Sequence, residues 1–86
     1  LVAGHLQGYG LNDFDELIYF VNASEQAQSL VIPQLAQKAF ELHPVQASPQ
    51  VADARPRNLA KYQKANGAFD IPARSAVVFV VKGSKP

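Results

Sequence analysis

The chain has 86 residues, which is enough for one small domain with a thin hydrophobic core. It has no cysteine and only two histidines, which excludes disulfide staples, thiolate metal sites and a histidine-rich zinc site. Eight basic and seven acidic residues give a net charge of +1, too small to favour nucleic acid or an anionic membrane as a partner. No apolar stretch is long enough to span a membrane. We therefore expect a small domain with no metal and no cofactor.

The first residues predict an irregular lead-in. Three of the five glycines lie within the first ten residues, so we expect residues 1–14 to lack regular structure. The acidic cluster Asp13, Asp15 and Glu16 could form the edge of a calcium site, but it lacks the spaced ligands of a calcium loop, and a solvated turn is the simpler interpretation. The chain begins with Leu1 and contains no methionine, so we expect it to be a processed or excised part of a longer polypeptide.

Two continuous apolar runs, residues 17–21 and 76–81, predict buried strands because they are short and rich in β-branched and aromatic side chains. We expect the second run to lie inside its sheet with both faces covered. Tyr19 lies in the first run, and we expect it to pack in the core. Residues 28–32, ended by Pro33, predict a return strand, so that residues 17–32 form a hairpin. Asn22-Ala-Ser24 matches a glycosylation acceptor, although a polar turn is the simpler role for Asn22.

For the middle of the chain, the sequence does not decide between helix and strand. Residues 33–43 fit a helix by the spacing of apolar side chains and fit a strand by the alternation near Phe40 and by the extended backbone that Pro44 imposes on His43. Residues 45–58 show no period and predict a long surface loop. Residues 59–63 predict a strand, and Asn66-Gly67 predicts a type I′ hairpin turn into a strand at 68–71. Short strands separated by turns indicate an all-β fold, a small antiparallel β-sandwich.

The residue types do not assemble a catalytic site. A glycosidase needs two carboxylates facing each other across a cleft, and a thin sandwich offers no deep cleft. His43 could polarise Ser48, but no nucleophile elbow is present, and a structural histidine is the favoured interpretation. Tyrosine rings can stack on sugars, and with Tyr19 expected in the core, Tyr62 and Tyr9 are the candidate carbohydrate-binding residues.

Three segments resemble the C-terminal domain of pullulanase-type debranching enzymes. Residues 17–29 resemble its opening apolar strand followed by Asn-Ala-Ser and Ala-Gln. Residues 40–46, Phe-Glu-Leu-His-Pro-Val-Gln, resemble its Leu-His-Pro-Val-Gln segment, the most specific of the three. Residues 65–80 are similar to its closing Gly-x-Phe-x-(Ile/Val)-Pro-(Ala/Pro)-Arg-(Ser/Thr) pattern and the apolar strand that follows. The resemblance covers residues 15–81 in the correct order.

The resemblance implies an antiparallel Greek-key β-sandwich over residues 15–82, a strand at 38–43 after a loop, and a tail at 83–86. It implies a secreted or cell-surface parent enzyme of the α-amylase clan that hydrolyses α-1,6 linkages in pullulan, amylopectin and limit dextrins. The catalytic carboxylates of such enzymes lie in an upstream TIM barrel, so this chain should carry none. Its implied role is to stabilise or shield that barrel, in the same polypeptide, through an apolar patch on the domain. The alternative is an α-glucan-binding module that acts through Tyr62 and Tyr9.

Overall fold

The computed structural model describes residues 1–7, 14–50 and 53–82. Strands predominate in these ranges and form two small antiparallel sheets, so the predicted all-β fold class is confirmed. Greek-key connectivity stays a prediction. The strands are β1 (Val2–Gln7), β2 (Phe14–Asn22), β3 (Gln28–Val31), β4 (Glu41–Leu42), β5 (Lys61–Gln63), β6 (Ala68–Ile71) and β7 (Ser75–Lys82).

The hydrophobic core lies between the two sheets. The larger sheet has the strand order β1-β2-β7-β4 and the smaller one has the order β3-β6-β5. Phe69 of β6 is completely buried, and its ring centroid lies 5.0 Å from that of Phe20 on β2 and 5.3 Å from that of Phe79 on β7. These rings meet in tilted and edge-on arrangements, which aromatic quadrupoles favour over flat stacking. The core is therefore an aromatic contact between two sheets.

Strand β7 occupies the interior of the larger sheet. It pairs with β2 on one side and with β4 on the other, which confirms the predicted interior position. The expectation that both of its faces are covered is wrong, because Val77 and Phe79 are buried while Ala76 is exposed and Val78 is half-buried. Successive side chains of a strand point to opposite faces, so the chain itself covers the inner face of β7 and leaves part of the outer face open.

The prediction of an irregular lead-in is wrong for residues 2–7. These residues form β1, which pairs with β2 from Val2↔Val21 to Gln7↔Glu16. Backbone pairing with a long neighbouring strand overrides the weak strand propensity of Gly4. Tyr9, Asp13 and residues 83–86 lie outside the described residues. The division of the chain at residues 14 and 82 stays a prediction.

The predicted hairpin over residues 17–32 is also wrong. Strand β2 belongs to the larger sheet, whereas β3 pairs with β6 in the smaller one. The segment between them carries the chain from one sheet to the other. Asn22 holds this corner, because its buried Nδ2 donates to the Gln26 carbonyl at 3.0 Å and to the Pro72 carbonyl at 3.1 Å.

The middle segment contains short helices that the sequence did not predict. A 3-10 turn covers Pro33–Leu35, and the strand expected at 38–43 is reduced to β4. The predicted loop at 45–58 is wrong at its two ends, since helix α1 covers Pro44–Ala47 and helix α2 covers Arg55–Leu59, whereas residues 48–50 and 53–54 form neither helix nor strand. Strand β5 consequently starts at residue 61, two positions later than residue 59. No helix in the described ranges is long and apolar enough to cross a membrane.

The hairpin of β5 and β6 is confirmed, but its turn is not type I′. The strands end at the pair Gln63↔Ala68, so residues 64–67 make the connection. Only Gly67 among these residues has a positive φ, of 75°. Its amide donates to the Gln63 carbonyl at 2.9 Å, and its carbonyl accepts from the Ile32 amide at 2.9 Å. Gly67 thus closes the turn and ties it to the end of β3.

Candidate functional site

The larger sheet exposes a continuous apolar surface on the side away from the core. On β2, Ile18 and Phe20 face the core, so alternation directs Leu17, Tyr19 and Val21 outward. The strand register places outward side chains of β1 and β7 beside them. We call this surface the outer sheet face and define it by Val2, Leu6, Leu17, Tyr19, Val21, Ala76 and Val78.

The outer sheet face leaves large side chains accessible to solvent. The exposed fractions are 61% for Val2, 52% for Leu6, 40% for Tyr19 and 44% for Val21. Single exposed apolar residues are ordinary, but a contiguous set across three neighbouring strands marks an interaction surface. The sequence signal for this surface is the continuous apolar run at 17–21. Such a run predicts that both faces of strand β2 are covered, whereas the described part of the chain covers only the face toward the core.

Tyr19 lies at the centre of the outer sheet face, so the expectation that it packs in the core is wrong. Its register partner on β1 is Gly4, and a Cβ at Gly4 would collide with the ring carbons and hydroxyl of Tyr19. The ring therefore lies over the glycine and packs against β1. This arrangement covers a strand position that has no side chain and presents one side of an aromatic ring to the outside.

Of the two tyrosines proposed to bind carbohydrate, Tyr62 lies in the described part of the chain and Tyr9 lies outside it. Tyr62 is half-buried, with its ring centroid 4.8 Å from Phe69 and 5.4 Å from Phe40. Its hydroxyl donates to the Leu35 carbonyl at 2.6 Å and accepts from the Lys38 amide at 3.2 Å. The ring packs under residues 35–40 and the hydroxyl is already bonded, which leaves little of Tyr62 free to contact a sugar; carbohydrate binding by Tyr62 stays a prediction.

Glu16 forms the main charged cluster among the described residues. Only 8% of the residue is exposed; its carboxylate accepts from Lys38 Nζ at 2.6 Å and from His5 Nε2 at 2.8 Å. Burial alone would raise the pKa of Glu16, but the hydrogen bonds from Lys38 and His5 and the charge on Lys38 outweigh it and lower the pKa below its ordinary value. The cluster joins β1, β2 and the segment after the 3-10 turn. Its geometry is that of a structural ion pair.

Most other described carboxylates are also bonded to partners. Asp53 pairs with Arg55 at 2.9 Å, and hydrogen bonds from Arg55 lower the pKa of this carboxyl. Further pairs join Glu25 with Arg74, Glu41 with Lys82, and Asp70 with the hydroxyl of Ser29. Among the described residues, no group of three or more His, Asp or Glu side chains could hold a metal ion.

His43 and Ser48, weighed as a catalytic pair in the sequence, both serve the backbone. His43 Nδ1 accepts from the Val45 amide at 3.1 Å and so caps helix α1. The Ser48 hydroxyl accepts from the Gln50 amide at 3.2 Å. The imidazole therefore caps a helix, which favours a structural role for His43 over a catalytic one.

A family model described as alpha-1,6-glucosidases, pullulanase-type, C-terminal, matches residues 1–82. The chain belongs to this family. No curated protein sequence matches the chain. Because the chain matches this family model, it is the C-terminal domain of a larger pullulanase-type polypeptide, and the parent enzyme is a glycoside hydrolase. The resemblance recognised in the sequence is confirmed, and the match includes the residues that form β1.

The Leu-His-Pro-Val-Gln segment of this pullulanase-type domain completes the edge of the larger sheet. Leu42 pairs with Phe79, and the His43 amide donates to the Val78 carbonyl at 2.8 Å. Beyond this point the Gln46 side chain takes over, since its Nε2 donates to the Ala76 carbonyl and its Oε1 accepts from the Val78 amide, both at 2.8 Å. Gln46 thus continues the short β4 by a side-chain amide. Sequence reasoning missed this role, because the pattern of a strand and turn carries no signal for it.

Proposed function

We propose that this domain docks by its outer sheet face onto the catalytic domain of its own polypeptide and stabilises that domain without contributing catalytic residues. The observation that carries the proposal is the outer sheet face itself, with Tyr19 at its centre. A sheet with an apolar outer face reaches its stable arrangement when a further layer of structure covers that face.

The partner we propose is the catalytic barrel of the parent enzyme. The chain belongs to a larger polypeptide, so the barrel is present at a high effective concentration. A TIM barrel presents an outer ring of helices, and a helix packs readily on a sheet face of β-branched and aromatic side chains. Tyr19, Leu6 and Val21 are already about half covered, so burying their remaining exposed area would contribute roughly 0.7–1.5 kcal/mol each.

A role in stabilising the enzyme fits the chain better than catalysis does. The five carboxylates of Glu16, Glu25, Glu41, Asp53 and Asp70 are engaged in ion pairs or hydrogen bonds. A glycosidase needs two carboxyl groups that face a sugar across a cleft. The proposal therefore assigns hydrolysis of α-1,6 linkages in starch-type glucans to the parent's catalytic domain.

Docking also fits Tyr19 better than binding of an α-glucan. A sugar-binding platform needs hydrogen-bonding groups around the ring as well as the ring itself. The residues in register with Tyr19 are Gly4 and Val78, and the neighbouring outward positions on β2 are Leu17 and Val21. This apolar surrounding suits a protein layer.

The test compares two exposed valines in the full-length enzyme. Val21 lies on the outer sheet face and is 44% exposed, whereas Val31 lies on the smaller sheet and is 54% exposed. Val21→Lys should lower the temperature of thermal inactivation of α-1,6 hydrolysis by several degrees, because docking would bury the new charge. Val31→Lys should leave this temperature within about a degree of the wild type. Equal behaviour of the two variants would contradict the proposal.

A further inference from the structure

The free edge of β1 differs from the other sheet edges in the described part of the chain. Strand β1 has six residues, pairs continuously with β2, and contains no proline, lysine or bulge. The opposite edge strand, β4, has only two residues, and beyond its end the Gln46 side chain bonds the backbone of β7. In the smaller sheet, β5 has three residues and begins with Lys61, and β3 is followed by Pro33. Short strands, lysine and proline protect edges against pairing, and β1 has none of these protections.

Strand β1 is also uncovered on its inner side. Its residues Ala3 and His5 have the same orientation as core residues, since they pair with Phe20 and Ile18, yet Ala3 and His5 are exposed. A cavity of ≈ 370 Å³ lies between β1 and the segment that follows β3. Its walls are mixed: the apolar side chains are those of Ala3, Ile18, Ile32 and Leu35, and the polar ones are those of His5, Gln7, Gln34 and Lys38.

The free edge and the cavity together describe the place of a missing strand. Along its six residues β1 directs alternate backbone groups to the free side, where they have no partner among the described residues and a further strand could pair with them. Because side chains alternate, every second residue of that strand would point into the cavity. Its other side chains would point outward and continue the outer sheet face.

We propose that an extended segment of the parent polypeptide, from outside this domain, adds to β1 as a fifth strand of the larger sheet. The edge and the cavity specify the segment: it lacks proline, and every second residue is small enough to enter a cavity that has both apolar and polar walls. The inference rests on the proposed association of this domain with the rest of its polypeptide. An intramolecular segment is favoured because it is held near the edge at high effective concentration.

The experiment is residue-resolved amide hydrogen exchange on the full-length enzyme. The amides of β1 that do not donate to β2 should exchange at least about tenfold more slowly than the amides of β5 that do not donate to β6. Strand β5 is the internal reference because it too has only one neighbour among the described strands. Equal exchange at the two edges would overturn the inference.

Ala3→Lys tests the cavity, because it places a charge where the inward side chains of the added strand would lie. This variant should return the edge amides of β1 to the exchange rate of β5, while the amides of Val77 and Phe79 in β7 stay protected and show that the domain is folded. Val31→Lys, at an exposed edge position of the smaller sheet, should change nothing. Unchanged protection of β1 in Ala3→Lys would overturn the inference.

Three further outcomes distinguish this inference from pairing with a second copy and from docking by the outer sheet face. Protection of β1 that disappears on dilution of the enzyme would mean pairing with a second copy and would overturn the proposal of an intramolecular strand. Protection of β1 together with a harmless Val21→Lys would support the strand and contradict docking by the outer sheet face. Fast exchange at β1 together with a harmful Val21→Lys would support docking and overturn the strand.

Discussion

The contact between Gly4 and Tyr19 predicts a strong coupling between two positions on neighbouring strands. In most strands, replacing glycine with alanine stabilises a protein by roughly 0.5–1 kcal/mol, because it restricts the unfolded chain. Here the added Cβ would collide with the Tyr19 ring. The ring can swing outward, but it then gives up its packing on β1, which is worth roughly 0.5–1 kcal/mol for a cross-strand aromatic pair.

In the wild-type background, the stabilisation from restricting the unfolded chain and the loss of ring packing cancel. When the ring is absent, only the stabilisation remains. Gly4→Ala should therefore change the free energy of unfolding of this chain by less than about 0.5 kcal/mol. The same substitution in Tyr19→Ala should stabilise the chain by about 0.5–1 kcal/mol. The coupling between the two positions should thus be about 0.5–1 kcal/mol.

Urea denaturation of the four members of this double-mutant cycle measures the coupling. A stability change of 1 kcal/mol shifts the melting temperature of a domain this size by about 4–8 °C, so thermal unfolding provides an independent reading. If the effect of Gly4→Ala is the same with and without the tyrosine ring, the ring does not lie over Gly4 and the reasoning is refuted.

Three other substitutions test the rest of the structure. Gly67→Ala should cost about 2–4 kcal/mol, because φ is 75° and a Cβ would collide with the Ile32 carbonyl; an unchanged urea midpoint would contradict this. Asn22→Ala should cost about 1–3 kcal/mol, since it leaves backbone groups at the corner unpaired; protein from a glycosylating host should carry no glycan on Asn22, as intact mass would show. Glu16→Gln should lower stability at pH 7. Because the folded pKa of Glu16 is depressed, its stabilising contribution is complete above the ordinary pKa of 4.5 and is lost as the pH falls through the folded pKa. The stability difference between wild type and Glu16→Gln should therefore shrink below pH 4.5, and a difference that does not vary with pH would contradict the ion pair with Lys38.

The sequence predicted the elements whose own side chains specify them. The apolar run at 76–81 identifies β7 as an interior strand, and Asn66-Gly67 identifies the hairpin of β5 and β6. Strand β1 could not be predicted in this way, because its pairing with β2 and not its own propensity makes it a strand. The helices α1 and α2 are short, and a proline in the first turn of each was the signal that the loop interpretation of residues 45–58 passed over.

The orientation of Tyr19 could not be read from its segment. Residues 17–21 are apolar at every position, so the run does not say which side chains face the core. The packing of Ile18 and Phe20 against the second sheet settles the orientation and turns Tyr19 outward. The same run did contain evidence for a second covered face. The layer that we propose for that face belongs to another part of the polypeptide.

The most direct test of docking is hydroxyl-radical footprinting of the full-length enzyme, read at two leucines. Leu6 on the outer sheet face is 52% exposed in this domain, and Leu59 at the end of α2 is 56% exposed. The two side chains have the same intrinsic reactivity, so their oxidation rates compare their exposure in the complete protein. If the outer sheet face docks onto the catalytic domain, Leu6 should be oxidised several-fold more slowly than Leu59. Equal oxidation of Leu6 and Leu59 would show an uncovered face and contradict the proposed function.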